Sequence, residues 1–259
     1  MKEWIGKVYE NRDVGGGYKV LTISLPSSFE EPIAGTFIML DCGFMEDGIL
    51  LRRPMAFYDF EKTKTGSLAR VLYHVVGKGT KLMSNMEKDE DIGFLGPLGN
   101  TFSAPTAEEK VWVVAGGIGI APFLLWLKQI QHRKHVKVLL GFREDAQLAI
   151  CSDFQKFSSH LVTCVQHGSK GDHQGTVIDV LKKIMTTEKP DRILTCGPTI
   201  MMDKTIEVAK AHGIPVEVSL EAKMGCGIGV CLSCVTPLEH RNQKNTFSLV
   251  CKDGPIFTV

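Results

Sequence analysis

The chain has 259 residues, with 30 Lys and Arg against 29 Asp and Glu, for a formal charge of +1. That balance gives no electrostatic reason to bind nucleic acid or an anionic membrane surface, and no apolar run approaches the roughly 20 residues that cross a bilayer. Hydrophobic content of 44% and charged content of 23% are those of an ordinary globular protein, and the length suits two domains with a small appendage. Met1-Lys2-Glu3-Trp4-Ile5-Gly6 carries no apolar signal core, so a cytoplasmic protein is expected.

The first hundred residues read as short strands. Residues 4–9, 18–23 and 36–40 are β-rich and separated by turn residues. Longer and shorter strands follow at 68–76 and 91–95. Many short strands with Gly and Pro between them predict an antiparallel barrel. Two places in this half suit phosphate. Arg53 in Leu51-Arg52-Arg53-Pro54-Met55-Ala56-Phe57 can pair with a diphosphate through its bidentate fork. Gly77-Lys78-Gly79-Thr80 opens a helical stretch whose free N–H groups and dipole favour an anion. Gly96-Pro97-Leu98-Gly99-Asn100 predicts a tight turn at the end of the half.

The pattern changes after Pro105. Strands at 111–115, 136–140, 160–165 and 192–196 alternate with helices at 123–130, 147–157, 177–185 and 200–212. That alternation predicts an α/β unit on a parallel sheet. Gly116, Gly117 and Gly119 lie between the first of these strands and its helix, the context of a dinucleotide loop. Pro122 falls where the last glycine of the full G-x-G-x-x-G would be. Cys196, Gly197 and Pro198 close a later strand, at the edge where open α/β sheets bind ligands. Arg143 suggests a ribose 2′-phosphate and Glu144 a free 2′-hydroxyl, so NAD and NADP both stay open.

The last forty residues break the rhythm. Cys226, Cys231, Cys234 and Cys251 are spaced C-x4-C-x2-C, sixteen residues, C, the plant-type ligand spacing of a 2Fe–2S cluster. Gly225, Gly227 and Gly229 remove Cβ atoms where the loop must wrap closely or take positive φ. Zinc sites usually pair cysteines two to four apart in two separate pairs, and disulfides do not suit a chain without a secretory signal. Cys42, Cys151 and Cys164 are expected to be free core thiols. No general acid–base pair or nucleophilic triad stands out, which suits chemistry carried by cofactors.

Barrel, α/β half and four-cysteine tail, in that order, resemble the ferredoxin–NADP reductase superfamily with a 2Fe–2S tail. Within it the chain looks most like electron transfer subunits of dihydroorotate dehydrogenase B. The resemblance covers essentially the whole chain and rests on Arg52-Arg53-Pro54, Gly79-Thr80, the 96–100 run, the 116–119 glycines, Cys196-Gly197-Pro198 and the tail from Glu221 to Phe257. It implies a multi-domain fold: a FAD-binding β-barrel at 1–104, an NAD-binding α/β domain at 105–220 and a 2Fe–2S segment at 221–259. Arg53, Pro54, Met55 and Ala56 would lie along FAD, with Leu72, Tyr73 and His74 lining the flavin and Gly79 and Thr80 holding phosphates. Cys196 would sit near the nicotinamide, or be simply a small buried residue at a strand end. The family usually has Ser or Thr at position 56 and often Arg at position 74, where this chain has Ala56 and His74.

The resemblance further implies a partner: an FMN-containing dihydroorotate dehydrogenase catalytic subunit, joined in a heterotetramer. Electrons from dihydroorotate would pass through the cluster to FAD and on to NAD, a step of pyrimidine biosynthesis. Subunits of the same build serve NADH-dependent ferredoxin:NADP oxidoreductases, sulfide dehydrogenases and soluble hydrogenases. In the first of these an aspartate can replace one cluster cysteine, whereas here all four are present. A redox sensor or a zinc-stapled protein is the alternative of a different class. The cluster segment is expected to pack on the flavoprotein core and to be removable without loss of FAD.

Overall fold

The computed structural model describes residues 2–43, 49–158, 160–237 and 247–259. Residues 238–246 of the expected cluster segment lie outside the described residues.

Seven strands form the first sheet: β1 (Glu3–Gly15), β2 (Tyr18–Leu25), β3 (Phe37–Leu40), β4 (Arg53–Ala56), β5 (Asp59–Lys62), β6 (Ser67–His74) and β7 (Asp91–Leu98). Their spatial order is β4-β3-β7-β1-β2-β6-β5, antiparallel throughout. The sheet curls into a half-barrel because each strand has an apolar face to bury. In β7 burial alternates residue by residue, with Ile92 and Phe94 inward. Phe29 sits at the centre, its ring 5.0 Å from Trp4, 5.8 Å from Phe94, 6.1 Å from Phe60 and 6.3 Å from Phe57. One helix, α1 (Lys78–Asn85), lies between β6 and β7.

Strand β7 corrects one expectation. It runs through Gly96 and Pro97 to Leu98, so the turn falls later, at Gly99 (φ +82°) and Asn100. Asn100 then acts as a clamp: its Nδ2 donates to the carbonyls of Ile256 (2.8 Å) and Asp253 (3.1 Å), and its Oδ1 accepts from Ile256 N–H (2.9 Å).

The second sheet holds β8 (Val111–Gly116), β9 (Val136–Glu144), β10 (Leu161–His167), β11 (His173–Gln174), β12 (Arg192–Cys196) and β13 (Val216–Ser219), all parallel. Helices α2 (Ala121–Gln129), α3 (Cys151–Gln155), α4 (Val177–Ile184) and α5 (Thr199–Lys210) are interleaved with them. Every residue from Ala121 to Leu127 of α2 is buried, as a helix clamped between sheet and half-barrel must be. Two short strands, β14 (Val235–Thr236) and β15 (Ser248–Leu249), pair in the tail. The final strand, β16 (Ile256–Thr258), returns to pair antiparallel with β13. The tail therefore completes the edge of the second sheet as well as carrying the four cysteines.

The order β11-β10-β9-β8-β12-β13-β16 reverses direction between β8 and β12. Ligands of open α/β sheets bind at the carboxyl ends of the strands at such a switch. Here those ends are Gly116-Gly117 and Cys196-Gly197.

Polar contacts lock the two sheets together. Tyr58 Oη donates to Asp153 (2.9 Å), Lys128 of α2 pairs with Asp59 of β5, and Gln129 accepts from Ala34 N–H (2.8 Å) while donating to the Pro32 carbonyl (2.8 Å). Cys42, Cys151 and Cys164 are buried and free. Among the described residues no helix is long and apolar enough to cross a membrane.

Candidate functional site

A cavity of about 540 Å³ opens between the half-barrel and the second sheet. Phe37 of β3, Pro54, Met55 and Ala56 of β4, and Leu72, Tyr73 and His74 of β6 form one wall. Ile118, Gly119, Pro122 and Cys196 form the facing wall, and the run Ser219–Met224 closes a third side. The lining is mainly apolar with a few polar groups, which suits a planar ring system. Tyr73 is fixed from behind: its hydroxyl donates to Asn11 (2.8 Å), whose amide donates to the Met83 carbonyl of α1 (2.7 Å). His74 packs edge-on against Tyr18 at 4.9 Å between centroids, and burial holds its pKa below the usual histidine value.

Beside the cavity lies a cradle for an anion. Helix α1 opens at Gly77, and the Thr80 hydroxyl accepts from the N–H groups of Val76 (3.0 Å) and Gly77 (3.1 Å). This leaves the first-turn N–H groups of Lys78, Gly79 and Thr80, which have no acceptor within a helix. The Arg53 guanidinium lies against the same turn: a Cβ on Gly79 would stand 2.9 Å from Arg53 Nε. Without a Cβ, Gly79 lets the guanidinium lie there undisplaced. A cation and a helix start in contact fit a diphosphate. Arg52, by contrast, is paired with Glu3. Thr80 lines the cavity as well, so ring site and anion cradle are continuous.

The glycines at the switch point are held by packing. A Cβ on Gly119 would meet the carbonyl of Cys196 at 2.5 Å, and one on Gly197 (φ +148°) would meet the Gly116 carbonyl at 2.8 Å. The two loops interlock backbone to backbone. A Cβ on Gly117, at φ +57°, would make ordinary contact with Tyr18 Oη at 3.5 Å, so here the left-handed backbone is what favours glycine. Of these two loops, Gly119 and Cys196 line the cavity, while Gly116, Gly117, Gly197 and Pro198 are not part of its lining. Cys196 is buried, and burial pushes its thiol pKa up. Position within the sheet, more than thiol chemistry, accounts for Cys196.

Sequence reasoning missed the third wall. Ser219 ends β13 and is followed by Leu220, Glu221, Ala222, Lys223 and Met224, all on the cavity. The Glu221 carboxylate reaches solvent at the mouth, yet the surrounding protein still holds its pKa above the usual carboxylate range. No local signal marks it in the sequence: the wall follows from Ser219 of β13 pairing with Cys196 of β12 at the same sheet edge.

The cysteine loop lies next to this wall. Cys226 Sγ accepts from the N–H groups of Val230 (3.3 Å), Ile228 (3.4 Å) and Cys231 (3.4 Å). Gly229 N–H donates to Cys251 Sγ (3.1 Å), and Cys251 N–H donates to Cys234 Sγ (3.4 Å). Gly227 and Gly229 take φ of +74° and +82°, and a Cβ on Gly227 would stand 2.4 Å from Met39 Cγ. Ser233 lies 3.2 Å from Cys231 Sγ and is the main cause of a thiol pKa lowered to about 6. Burial, then the neighbouring Cys234, push Cys251 up to about 12.

Hydrogen bonds tie the four cysteines into one unit: Cys231 N–H reaches Cys226 Sγ, Cys251 N–H reaches Cys234 Sγ, and Gly229 N–H joins Cys251 to the loop. No group of three or more His, Cys, Asp or Glu side chains among the described residues is arranged to hold a single metal ion. Three cysteines on one glycine-rich loop and a fourth from a distant position, with N–H donors at Cys226, Cys234 and Cys251, fit a 2Fe–2S cluster better than one tetrahedral zinc. Cys234 and Cys251 are buried, whereas Cys231 is exposed.

Comparison with known proteins agrees with this layout. Residues 221–259 match the iron–sulfur cluster binding domain of dihydroorotate dehydrogenase B, and residues 113–207 match the oxidoreductase NAD-binding domain. The chain is 36% identical over 226 residues to a dihydroorotate dehydrogenase B (NAD(+)) electron transfer subunit of Desulforamulus reducens, covering 87% of this chain and 84% of that one. The Clostridium acetobutylicum subunit of the same name is 34% identical, covering 99% and 95%. Among solved structures, an NADH-dependent reduced ferredoxin–NADP oxidoreductase, studied for flavin-based electron bifurcation, superposes with a TM-score of 0.84 at 27% identity, covering 98% of this chain and 87% of that one. A Neisseria gonorrhoeae ferredoxin NADP+ reductase with bound FAD and NADP shares the fold at a TM-score of 0.65 and 20% identity, covering 82% and 92%. These relatives are oxidoreductases that work with flavin, nicotinamide nucleotide and iron–sulfur groups, and the donor sets described above fit the same three. The chain belongs to the family of dihydroorotate dehydrogenase B (NAD(+)) electron transfer subunits.

Proposed function

We propose that this chain carries electrons between a catalytic subunit that oxidises dihydroorotate on FMN and NAD+, using FAD in the cavity and a 2Fe–2S cluster on Cys226, Cys231, Cys234 and Cys251. One observation supports the route above others. Phe37 and Met224 line the cavity and also pack in the apolar cluster that contains Cys234 and Cys251. The buried cysteines Cys234 and Cys251 and the cavity share these two side chains as a common wall.

When bound, the cluster would supply single-electron transfer and FAD would convert it to the two-electron exchange that nicotinamide requires. The residues of this chain supply binding and position. Arg53 with the α1 turn at Gly79 and Thr80 holds the diphosphate of FAD. Pro54, Met55 and Ala56 face the ring on one side, with Leu72, Tyr73 and His74 beside them. The Gly116–Gly119 and Cys196–Pro198 loops set the crevice for NAD, and Cys196 marks its nicotinamide end. Since Ala56 has no hydroxyl, backbone N–H groups are left to hydrogen-bond the ring.

The partner surface follows from exposure. Cys231 is exposed, flanked by Val230 and Leu232, which are 74% and 59% exposed. Val235 and Phe247 add 55% and 76%. Exposed apolar side chains in the segment that carries an exposed cluster cysteine suit a docked electron donor, and the catalytic subunit is that donor in a heterotetramer. The names of the relatives already imply a catalytic partner.

The test is anaerobic. The chain is co-purified with its partner, and dihydroorotate is added while the visible spectrum is followed. Bleaching of flavin and cluster bands, restored by NAD+, is expected. The likeness to the bifurcating oxidoreductase supports a second reading, with the same cofactors and a different partner. Full bleaching by NADH with none by dihydroorotate would establish that reading instead.

A further inference from the structure

Three successive glycines form the turn between β1 and β2, and each makes room for something different. Gly15, Gly16 and Gly17 all take left-handed φ, at +87°, +60° and +78°. A Cβ on Gly15 would meet the Ala146 carbonyl at 2.8 Å, one on Gly16 would meet Gln147 Cγ at 2.5 Å, and one on Gly17 would meet His74 Nε2 at 2.9 Å. The turn of the half-barrel is thus wedged between the flavin cavity wall and the 3₁₀ segment Asp145–Ile150 of the other domain.

One side chain bridges the wedge. Gln147 Nε2 donates to Tyr18 Oη (3.0 Å), and Tyr18 packs edge-on against His74. The other end of the same amide, Oε1, accepts from the N–H groups of both Arg143 (2.9 Å) and Glu144 (3.2 Å). Arg143 and Glu144 end β9, on the sheet edge that carries Gly116 and Cys196. In this fold that position faces the adenosine ribose. With its donor and acceptor both used, the amide is fixed in orientation, and Tyr18 is its only contact across the domain boundary among the hydrogen bonds above.

We infer that Gln147, anchored by Tyr18, is a positioning residue that sets the adenosine end of the bound nucleotide relative to the flavin. It touches neither ligand itself. It holds the two backbone groups whose side chains meet the ribose, and ties them to the wall that His74 presents to the cavity. The inference rests on the nucleotide reading of the second domain given above and adds to it a residue in the join between domains.

The test uses the flavin-loaded chain and ADP-ribose, which has the adenosine and diphosphate of NAD without its nicotinamide. Binding is measured by calorimetry for wild type, Tyr18→Phe, Gln147→Ala and the double variant. Tyr18→Phe keeps the ring against His74 and removes only the acceptor. It is expected to weaken ADP-ribose about two- to tenfold, the worth of one hydrogen bond. Gln147→Ala is expected to weaken it at least as much, and the double variant no more than Gln147→Ala alone. FAD per chain stays constant, and with ferricyanide as acceptor KM for NADH rises while kcat holds. Should Tyr18→Phe shed flavin, Gln147→Ala alone decides. Unchanged ADP-ribose affinity in Gln147→Ala, or fully additive losses in the double variant, would overturn the inference while leaving the nucleotide site intact. Absence of ADP-ribose binding in wild type would overturn the nucleotide reading itself, and this inference with it.

Discussion

The cysteine loop and the flavin cavity solve the same problem in opposite ways. The loop collects three of its four sulfurs within nine residues, 226–234, and orients them with its own backbone N–H groups. The cavity gathers its walls from β3, β4, β6, the Gly117–Ile120 turn and the run after β13, which are separated by most of the chain. A local site survives changes elsewhere and fails when its own loop is touched. A composite site fails when any wall shifts. The two meet at Met224 and Phe37, so the tail belongs to both.

The comparison breaks most severely if the tail is removed. Deleting residues 221–259 takes away the cysteines, the cavity wall at Glu221–Met224 and the edge strand β16. Loss of FAD as well as iron is expected, measured as flavin and iron per purified chain. The sequence alone suggested a removable segment that would leave FAD in place. The sheet pairing of β13 with β16 and the Asn100 clamp are the physical reasons against it.

A second change separates the sites. Arg53→Ala removes the cation from the α1 turn, and FAD affinity is expected to fall roughly 10- to 100-fold, as for a lost charge-assisted hydrogen bond. Iron content should hold, since Arg53 is no part of the loop. Gly227→Ala is the converse. It forces a left-handed residue and drives a Cβ to within 2.4 Å of Met39 Cγ. About 1–3 kcal/mol of local strain is expected, seen as cluster loss on mild heating with FAD retained.

The smallest effect concerns Glu221. The surrounding protein raises its folded pKa although the carboxylate reaches solvent, so the neutral form is favoured by folding, by an amount that solvent screening keeps small. The stability this gives is fully present below the unfolded carboxylate value of about 4.3 and is lost as pH rises through the folded value. Glu221→Gln stays neutral at every pH. It should match wild type near pH 4 and melt about 1–2 °C higher near pH 8. A lower melting temperature at pH 8 would show that the carboxylate is favourably paired instead.

The same contrast explains what could be read in advance. The cysteine spacing is a local code, because a short loop must bring its sulfurs to one place. The alternation of strands and helices from Val111 to Lys210 was equally plain, since each element buries its own face. Arg53 and Gly79 were visible as separate signals, but their contact across 26 positions was not. The Ser219–Met224 wall was invisible because nothing local marks it. Its position depends on β13 lying next to β12. The 116–119 glycines were legible as a turn, yet Gly119 is required by the Cys196 carbonyl opposite. The Gly15–Gly17 turn carries no local mark of the Asp145–Ile150 segment that packs against it.

The most direct test of the electron route uses Cys231→Ser in the complex with the catalytic subunit. Cys231 is exposed, so the change costs little packing. The account predicts one FAD per chain, loss of the native cluster signal, flavin bleached by NADH as before, and no flavin bleaching by dihydroorotate. Flavin bleached by dihydroorotate at the wild-type rate in that variant would contradict it, because electrons would then reach the cavity without the cluster.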